Sequence, residues 1–161
     1  MLEATEFAAL RVHFSEPMAR AYAQLGRIDE ALVAIDRAVE ANEGAAGSFI
    51  SPEFLRVKGS LLVEHIESRR IEAQALLRQS LERARQHGAL AWELRATMSL
   101  VRCDRSSQST LALLQGCYSK FSQGFETRDL ILARQLLGES AKQTYPASAV
   151  RAVRFHNTTM L

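Results

Sequence analysis

Histidine has the widest chemical repertoire of any residue type in this chain, since imidazole binds metal ions and transfers protons near neutral pH. A zinc site on one helix needs two histidines four positions apart with a glutamate between them. No pair has this spacing, because the histidines lie far apart in the sequence, at His13, His65, His87 and His156. The sequence therefore predicts no metal site and no catalytic histidine.

The glycines do not form a phosphate-binding loop. Such a loop places glycines just before a Lys-Ser or Lys-Thr pair, so that backbone amides surround the phosphates. The eight glycines are scattered along the chain, and none stands in that position. The sequence pattern brings no other group of titratable residues into one pocket. We therefore predict a non-catalytic protein that needs no cofactor.

Cys103 and Cys117 are the two cysteines of the chain. They fall in two different predicted helices, and this separation does not establish the geometry of a disulfide. The N-terminus lacks the charged, apolar and small-residue regions of a secretory signal, so we expect a reducing cytoplasm. In that compartment both cysteines are predicted to be buried thiols.

The charge of the chain is nearly balanced, with 20 basic and 18 acidic residues and a formal net charge of +2. Such a balance provides no large field to attract nucleic acid or an anionic membrane surface. Charged residues also interrupt every apolar run before the roughly 18 to 20 residues that a membrane-spanning helix needs. We therefore expect neither nucleic acid nor a membrane as a partner.

Helices are the elements that position the polar residues. Apolar and small residues recur at steps of three and four, which places them on one helix face that must be buried. The pattern is clearest in three stretches, Ile28 to Val39, Leu55 to Ile66 and Ala73 to Ala84. Pro52 directly after Ser51 marks one helix start. The whole pattern predicts an all-α chain of about seven helices without a strand.

The first helix boundary depends on a serine and a proline. Ser15 is the predicted N-cap of a short helix from Met18 to Leu25, because Pro17 fits a first helical turn. This assignment makes residues 3–14 a separate, preceding helix. The first two predicted helices therefore meet at Ser15.

The last helix is predicted from Arg128 to Ala141, with Thr127 as its cap. The segment after Glu139 has no acidic residue but several basic ones. A segment of this composition is typical of a chain terminus without a core of its own. We therefore divide the chain into a helical repeat domain, residues 1–141, and a flexible basic C-terminal tail, residues 142–161.

Small and large residues in the first two helix pairs follow the spacing of a tetratricopeptide repeat, a helix–turn–helix unit of about 34 residues. In this spacing, small residues let two helices approach and large ones fill the gap between them. The first unit carries it at Ala19, Tyr22, Gly26, Ala31, Ile35 and Ala38. The second carries it at Gly59, Leu62, Ala73, Leu77 and Ser80, and the third is degenerate after Trp92 and Ala96. The chain thus resembles a tetratricopeptide array.

Three longer runs resemble the C-terminal tetratricopeptide arrays of a family of bacterial signalling proteins: LRVKGSLL from Leu55, WELRATMSLVR from Trp92 and FSQGFETRDLILARQLL from Phe121. In that family a switch-ATPase module and a nucleotidyl cyclase or winged-helix domain precede the array, and none of those modules is present here. The resemblance covers residues 14–141 and implies a right-handed superhelix of antiparallel helix pairs. It also implies a fragment or a shortened relative of such a protein, without a catalytic residue.

The resemblance implies a binding function. The first helices of stacked pairs line an extended concave groove, which suits a peptide or a helix of another protein. The repeat spacing directs six polar side chains into this groove, where they would pair with charges and bond a peptide backbone. These are Glu16, Arg20, Arg56, Ser60, Glu93 and Thr97. We predict a protein-interaction or regulatory sensing module, and the sequence does not identify its protein or peptide partner.

The alternative is a structural role, in which the array dimerises a larger signalling protein. Short arrays expose apolar surface at their ends unless capping helices cover it. Phe7, Leu10 and Phe14 would remain open at the first end. That end therefore predicts self-association into a homodimer.

Overall fold

A computed structural model describes residues 14–43 and 51–144 of the chain. Seven α-helices and one 3₁₀ turn occur in these residues, and no strand does. The helices are α1 (residues 14–24), α2 (Ile28–Glu43), α3 (Ser51–His65), α4 (Arg70–Gln86), α5 (Leu90–Cys103), α6 (Gln108–Tyr118) and α7 (Arg128–Thr144), with the 3₁₀ turn at Glu67–Arg69. The prediction of an all-α chain is confirmed for the described residues.

Both predicted terminal boundaries differ from the structure. Phe14, Ser15 and Pro17 all lie within α1, so Ser15 does not separate two helices. Pro17 removes no hydrogen bond within the described part of α1, because the carbonyl four positions earlier belongs to residue 13. At the other end, α7 continues past Ala141 to Thr144. Residues 3–13 of the predicted first helix and residues 145–161 of the predicted tail lie outside the described residues.

The helices from α2 to α7 pack in chain order. Each one contacts the next, since the connections between most of them are only a few residues long. In addition, α3 contacts α5 and α5 contacts α7, whereas α2, α4 and α6 do not contact one another. The odd-numbered helices therefore share one continuous layer, and the even-numbered helices cover its other side.

The hydrophobic core runs the length of this packing in three adjoining clusters. The first joins α1 to α4, the second lies between α4 and α5, and the third joins α5, α6 and α7. Their central residues are Ile35 and Leu62, Leu77 and Leu100, and Leu114 and Leu130. Each cluster uses apolar residues from facing helices, as the steps of three and four predict.

Gly59 sets the distance between α3 and α4. A Cβ atom added at this position would lie 2.9 Å from Cγ of Leu77 and 3.1 Å from the carbonyl oxygen of Ala73. Near the start of α3, the Ser80 hydroxyl donates a hydrogen bond of 2.6 Å to the carbonyl oxygen of Pro52. The small residue that the repeat spacing predicts at position 59 thus lies at a close contact between α3 and α4.

Candidate binding groove

A polar groove of about 330 Å³ lies between α1, α3 and α5. We call it the binding groove, and its polar lining residues are Arg20, Gln24, Arg56, Ser60, Glu64, His65 and Arg102. Val57 and Leu61 supply apolar surface between these side chains. Three of the six predicted binding residues, Arg20, Arg56 and Ser60, therefore line one groove.

Ion pairs connect α1 to α3 beside this groove. Arg20 bonds to Glu16 within α1 and lies 3.5 Å from the Glu53 carboxylate of α3 through Nη2. Glu53 also accepts two hydrogen bonds from Arg56, of 2.9 Å from Nε and 2.6 Å from Nη2. Glu16 therefore contributes to this face through Arg20, beside the lining residues.

The ion pairs that join α1 to α3 continue through α5 to α7. Arg95 Nη1 lies 4.0 Å from Glu53 Oε1, and Arg95 Nε lies 2.6 Å from Asp129 Oδ2. Glu53 is thus surrounded by arginines from three helices, and each of these arginines has at least one carboxylate partner. The three arginines and the three carboxylates of these ion pairs therefore balance each other.

Arg56 belongs to the wall of the groove. It is only 7% exposed, and its Nη1 donates a hydrogen bond of 3.3 Å to Ser99 Oγ. Burial opposes its charge, but the hydrogen bonds and the charge of Glu53 outweigh burial and raise the pKa of Arg56. Ser60 Oγ lies 3.2 Å from the same Ser99 Oγ. These contacts fix α3 against α5.

Arg102 differs from every other arginine on this face. It lines the groove but forms no ion pair or hydrogen bond with any residue in the described part of the chain. Partial burial lowers the pKa of Arg102, and the like charge of Arg56 lowers it further. The charge of Glu64 acts in the opposite direction. Arg102 is therefore a cation without a direct partner in a groove that already holds other cations.

The remaining two predicted binding residues point into the protein. Glu93 is 5% exposed, and its carboxylate lies 3.0 Å from Arg85 Nε and 3.0 Å from Lys120 Nζ. Thr97 is fully buried, and its hydroxyl donates to carbonyl oxygens of its own helix, 2.8 Å away at Leu94. Neither side chain lines the binding groove.

A difference in helix register explains this placement. The predicted set matches Ser60 of α3 with Thr97 of α5, but the structure places Ser60 against Ser99. The α5 residues on the groove face are consequently Arg95, Ser99 and Arg102. A short internal repeat signals this register, because LRVKGSLL from Leu55 aligns with LRATMSLV from Leu94.

Neither a metal-ligand cluster nor a membrane-spanning helix occurs in the part of the chain that the structure describes. No group of three or more histidine, cysteine, aspartate or glutamate side chains is placed there to hold a metal ion. None of the described helices combines the length and hydropathy needed to cross a membrane.

Comparisons with protein-family models, with curated proteins and with solved structures find no match.

Proposed function

We propose that this chain is a non-catalytic interaction module that binds an acidic segment of a partner protein in the binding groove. The unpaired guanidinium of Arg102 is the observation that supports the proposal most directly. Arg102 is exposed at the surface, so its guanidinium is accessible to a ligand while no carboxylate of the described residues neutralises it. A carboxylate from a ligand would supply that missing partner.

The chemistry of the groove favours a carboxylate of a peptide. A guanidinium binds a carboxylate through two parallel hydrogen bonds, which gives both strength and orientation. Arg20 and Arg56 lie in the same groove and add positive charge, although each already has a carboxylate partner. Ser60 offers a hydroxyl for a peptide backbone, and Val57 and Leu61 offer apolar contact.

The length of α3, which lines the binding groove, suits a short peptide segment. With 15 residues, α3 is about 22 Å long, which matches about six or seven residues of extended peptide. The layer of odd-numbered helices also agrees with stacked antiparallel helix pairs, in which one helix of each pair lines a concave surface. We include in the proposal a tetratricopeptide-like, right-handed superhelix related to the arrays of bacterial signalling proteins.

Selection from a random twelve-residue peptide display library tests this function. The immobilised full chain is the target, and a parallel selection uses an Arg102→Gln variant. We expect the wild-type chain to enrich peptides with aspartate or glutamate. One enriched peptide is then labelled and titrated by fluorescence polarisation, beside a copy with glutamine for glutamate. We expect roughly tenfold or more weaker binding when either charge is removed, as for a charge-assisted hydrogen bond.

Arg78→Gln is the matched control, because it removes the same charge from an exposed position on α4, outside the groove. This variant should bind the acidic peptide as the wild type does. Enrichment of peptides without acidic residues would contradict the proposal. So would equal affinities of the Arg102→Gln and Arg78→Gln variants for the enriched peptide, since binding would then not involve the groove.

A further inference from the structure

A second groove, of about 680 Å³, lies between α1 and α2 at the start of the described array. We call it the α1–α2 groove, and its surface is largely apolar. Phe14, Met18 and Val33 line it and are 64%, 47% and 49% exposed. Tyr22 adds part of its ring. Soluble monomers rarely expose a large contiguous apolar surface, so a surface of this kind often marks an interaction site.

The α1–α2 groove is independent of the binding groove. Met18 and Arg20 are two positions apart, so their side chains point about 200° apart around α1. Met18 lines the α1–α2 groove, whereas Arg20 lines the binding groove. A ligand in one groove therefore leaves the other accessible.

Two unpaired charges of opposite sign lie along the α1–α2 groove. Asp29 and Arg37 both line it, and neither forms an ion pair with any described residue. They lie eight positions apart on α2, which separates them by about 12 Å along the helix axis. An acid and a base at opposite ends of one apolar surface make that surface complementary to itself under a two-fold rotation.

We propose that a second copy of this chain docks in the α1–α2 groove, with the two α2 helices antiparallel across a two-fold axis. In this arrangement Asp29 of each copy meets Arg37 of the other, so that one dimer contains two such ion pairs. Met18 and Val33 of both copies form the apolar centre between the pairs. Because these opposite charges complement each other across a two-fold axis, the pattern favours a second copy over an unrelated partner.

Charge reversal followed by sedimentation equilibrium tests the arrangement on the full chain. In an Asp29→Arg homodimer, the introduced guanidinium would face Arg37 at both contacts, and in an Arg37→Asp homodimer, two aspartates would meet at both. We expect each variant alone to associate about tenfold or more weakly than the wild type, because like charges oppose docking. An equimolar mixture of the two variants restores opposite-charge contacts and should form heterodimers with near wild-type affinity.

Two further variants separate the apolar contact from the general effect of charge. Met18→Glu should prevent association, because it places a carboxylate in the apolar centre. Arg78→Asp makes the same charge change as Arg37→Asp on exposed α4 and should dimerise like the wild type. A monomeric wild-type chain over a wide concentration range would overturn the proposal. A mixture of the two charge variants that stays monomeric would also overturn it, since antiparallel pairing requires the rescue.

Discussion

The carboxylate oxygens of Glu93 both lie 3.0 Å from the ammonium nitrogen of Lys120, and one also lies 3.0 Å from Arg85 Nε. Glu93 is almost completely buried, whereas the side chains of Lys120 and Arg85 are about half exposed. A buried carboxylate thus joins α5 to α4 and to the segment after α6. Burial opposes the charge of Glu93, but the two cations outweigh burial and hold the pKa of its carboxyl below the ordinary value.

Stability should therefore fall in acid because of Glu93. Its pKa is lower in the folded than in the unfolded chain, so the stabilisation is complete above the unfolded value of 4.5. It is lost as the pH falls through the folded pKa. Glu93→Gln should lower the free energy of unfolding by about 2 kcal/mol at neutral pH. Urea unfolding of both proteins from neutral to acidic pH should show their stabilities converging in acid.

Glu72→Gln is the control for this prediction. A hydrogen bond from Arg69 holds the pKa of Glu72 below its ordinary value, against a small opposing effect of burial. Both members of this pair are about 40% exposed, so water screens their attraction. We expect a change of less than about 1 kcal/mol. If the free energies of unfolding of wild type and Glu93→Gln differ by the same amount at every pH, the ion pairs of Glu93 do not cause the difference.

Gly59→Ala should destabilise the protein by about 1–2 kcal/mol, although alanine favours a helix more than glycine does. The added methyl group would overlap Leu77 and the backbone of Ala73, and the backbone cannot move without separating α3 from α4. Gly116→Ala is the matched control, since no atom lies within 4 Å of its added Cβ. It should be neutral or stabilise by up to about 1 kcal/mol. Thermal unfolding of both variants by circular dichroism measures this difference.

Arg56 and Arg102 should differ in their effects on stability, although both line the binding groove. Arg56→Gln breaks a buried pair with Glu53 and should cost about 2–4 kcal/mol. Arg102→Gln removes a charge without a partner and should change the free energy of unfolding by less than about 0.5 kcal/mol. Urea unfolding at neutral pH distinguishes these outcomes. A large loss in Arg102→Gln would mean that Arg102 supports the fold instead of awaiting a ligand.

Helix periodicity predicts much of this fold, because a buried face repeats at steps of three and four whatever lies opposite it. The stretch from Ile28 to Val39 forms α2, and its small residues Ala31 and Ala38 are completely buried. Gly59 is likewise at a close contact between helices. Periodicity alone does not indicate where a helix continues past a proline, which is why the sequence predicts a boundary at Ser15 that α1 does not have.

The binding groove was predictable only in part. Periodicity places residues on a helix face but does not fix how far one helix slides along another, and a shift of two positions turns a side chain by about 200°. The prediction consequently includes Glu93 and Thr97, whereas Arg95 and Ser99 occupy the groove face. Contacts such as that of Arg95 with Asp129 join residues distant in sequence and depend on packing.

Cys117 should resist alkylation in the folded protein. As the sequence predicts, both cysteines are free and buried, and burial raises the pKa of the Cys117 thiol to about 11. Only the thiolate reacts with iodoacetamide. At pH 8 a thiol with a pKa of about 11 is ionised in roughly one molecule in a thousand. An ordinary cysteine is ionised in about one molecule in four at this pH. Labelling at pH 8, followed by mass spectrometry, should therefore be more than about 100-fold slower for Cys117 in the native chain than in urea. Burial raises the pKa of Cys103 as well, so both sites should become reactive together on unfolding. Rapid native labelling of Cys117 alone would instead mean that α6 opens locally, away from α5 and α7.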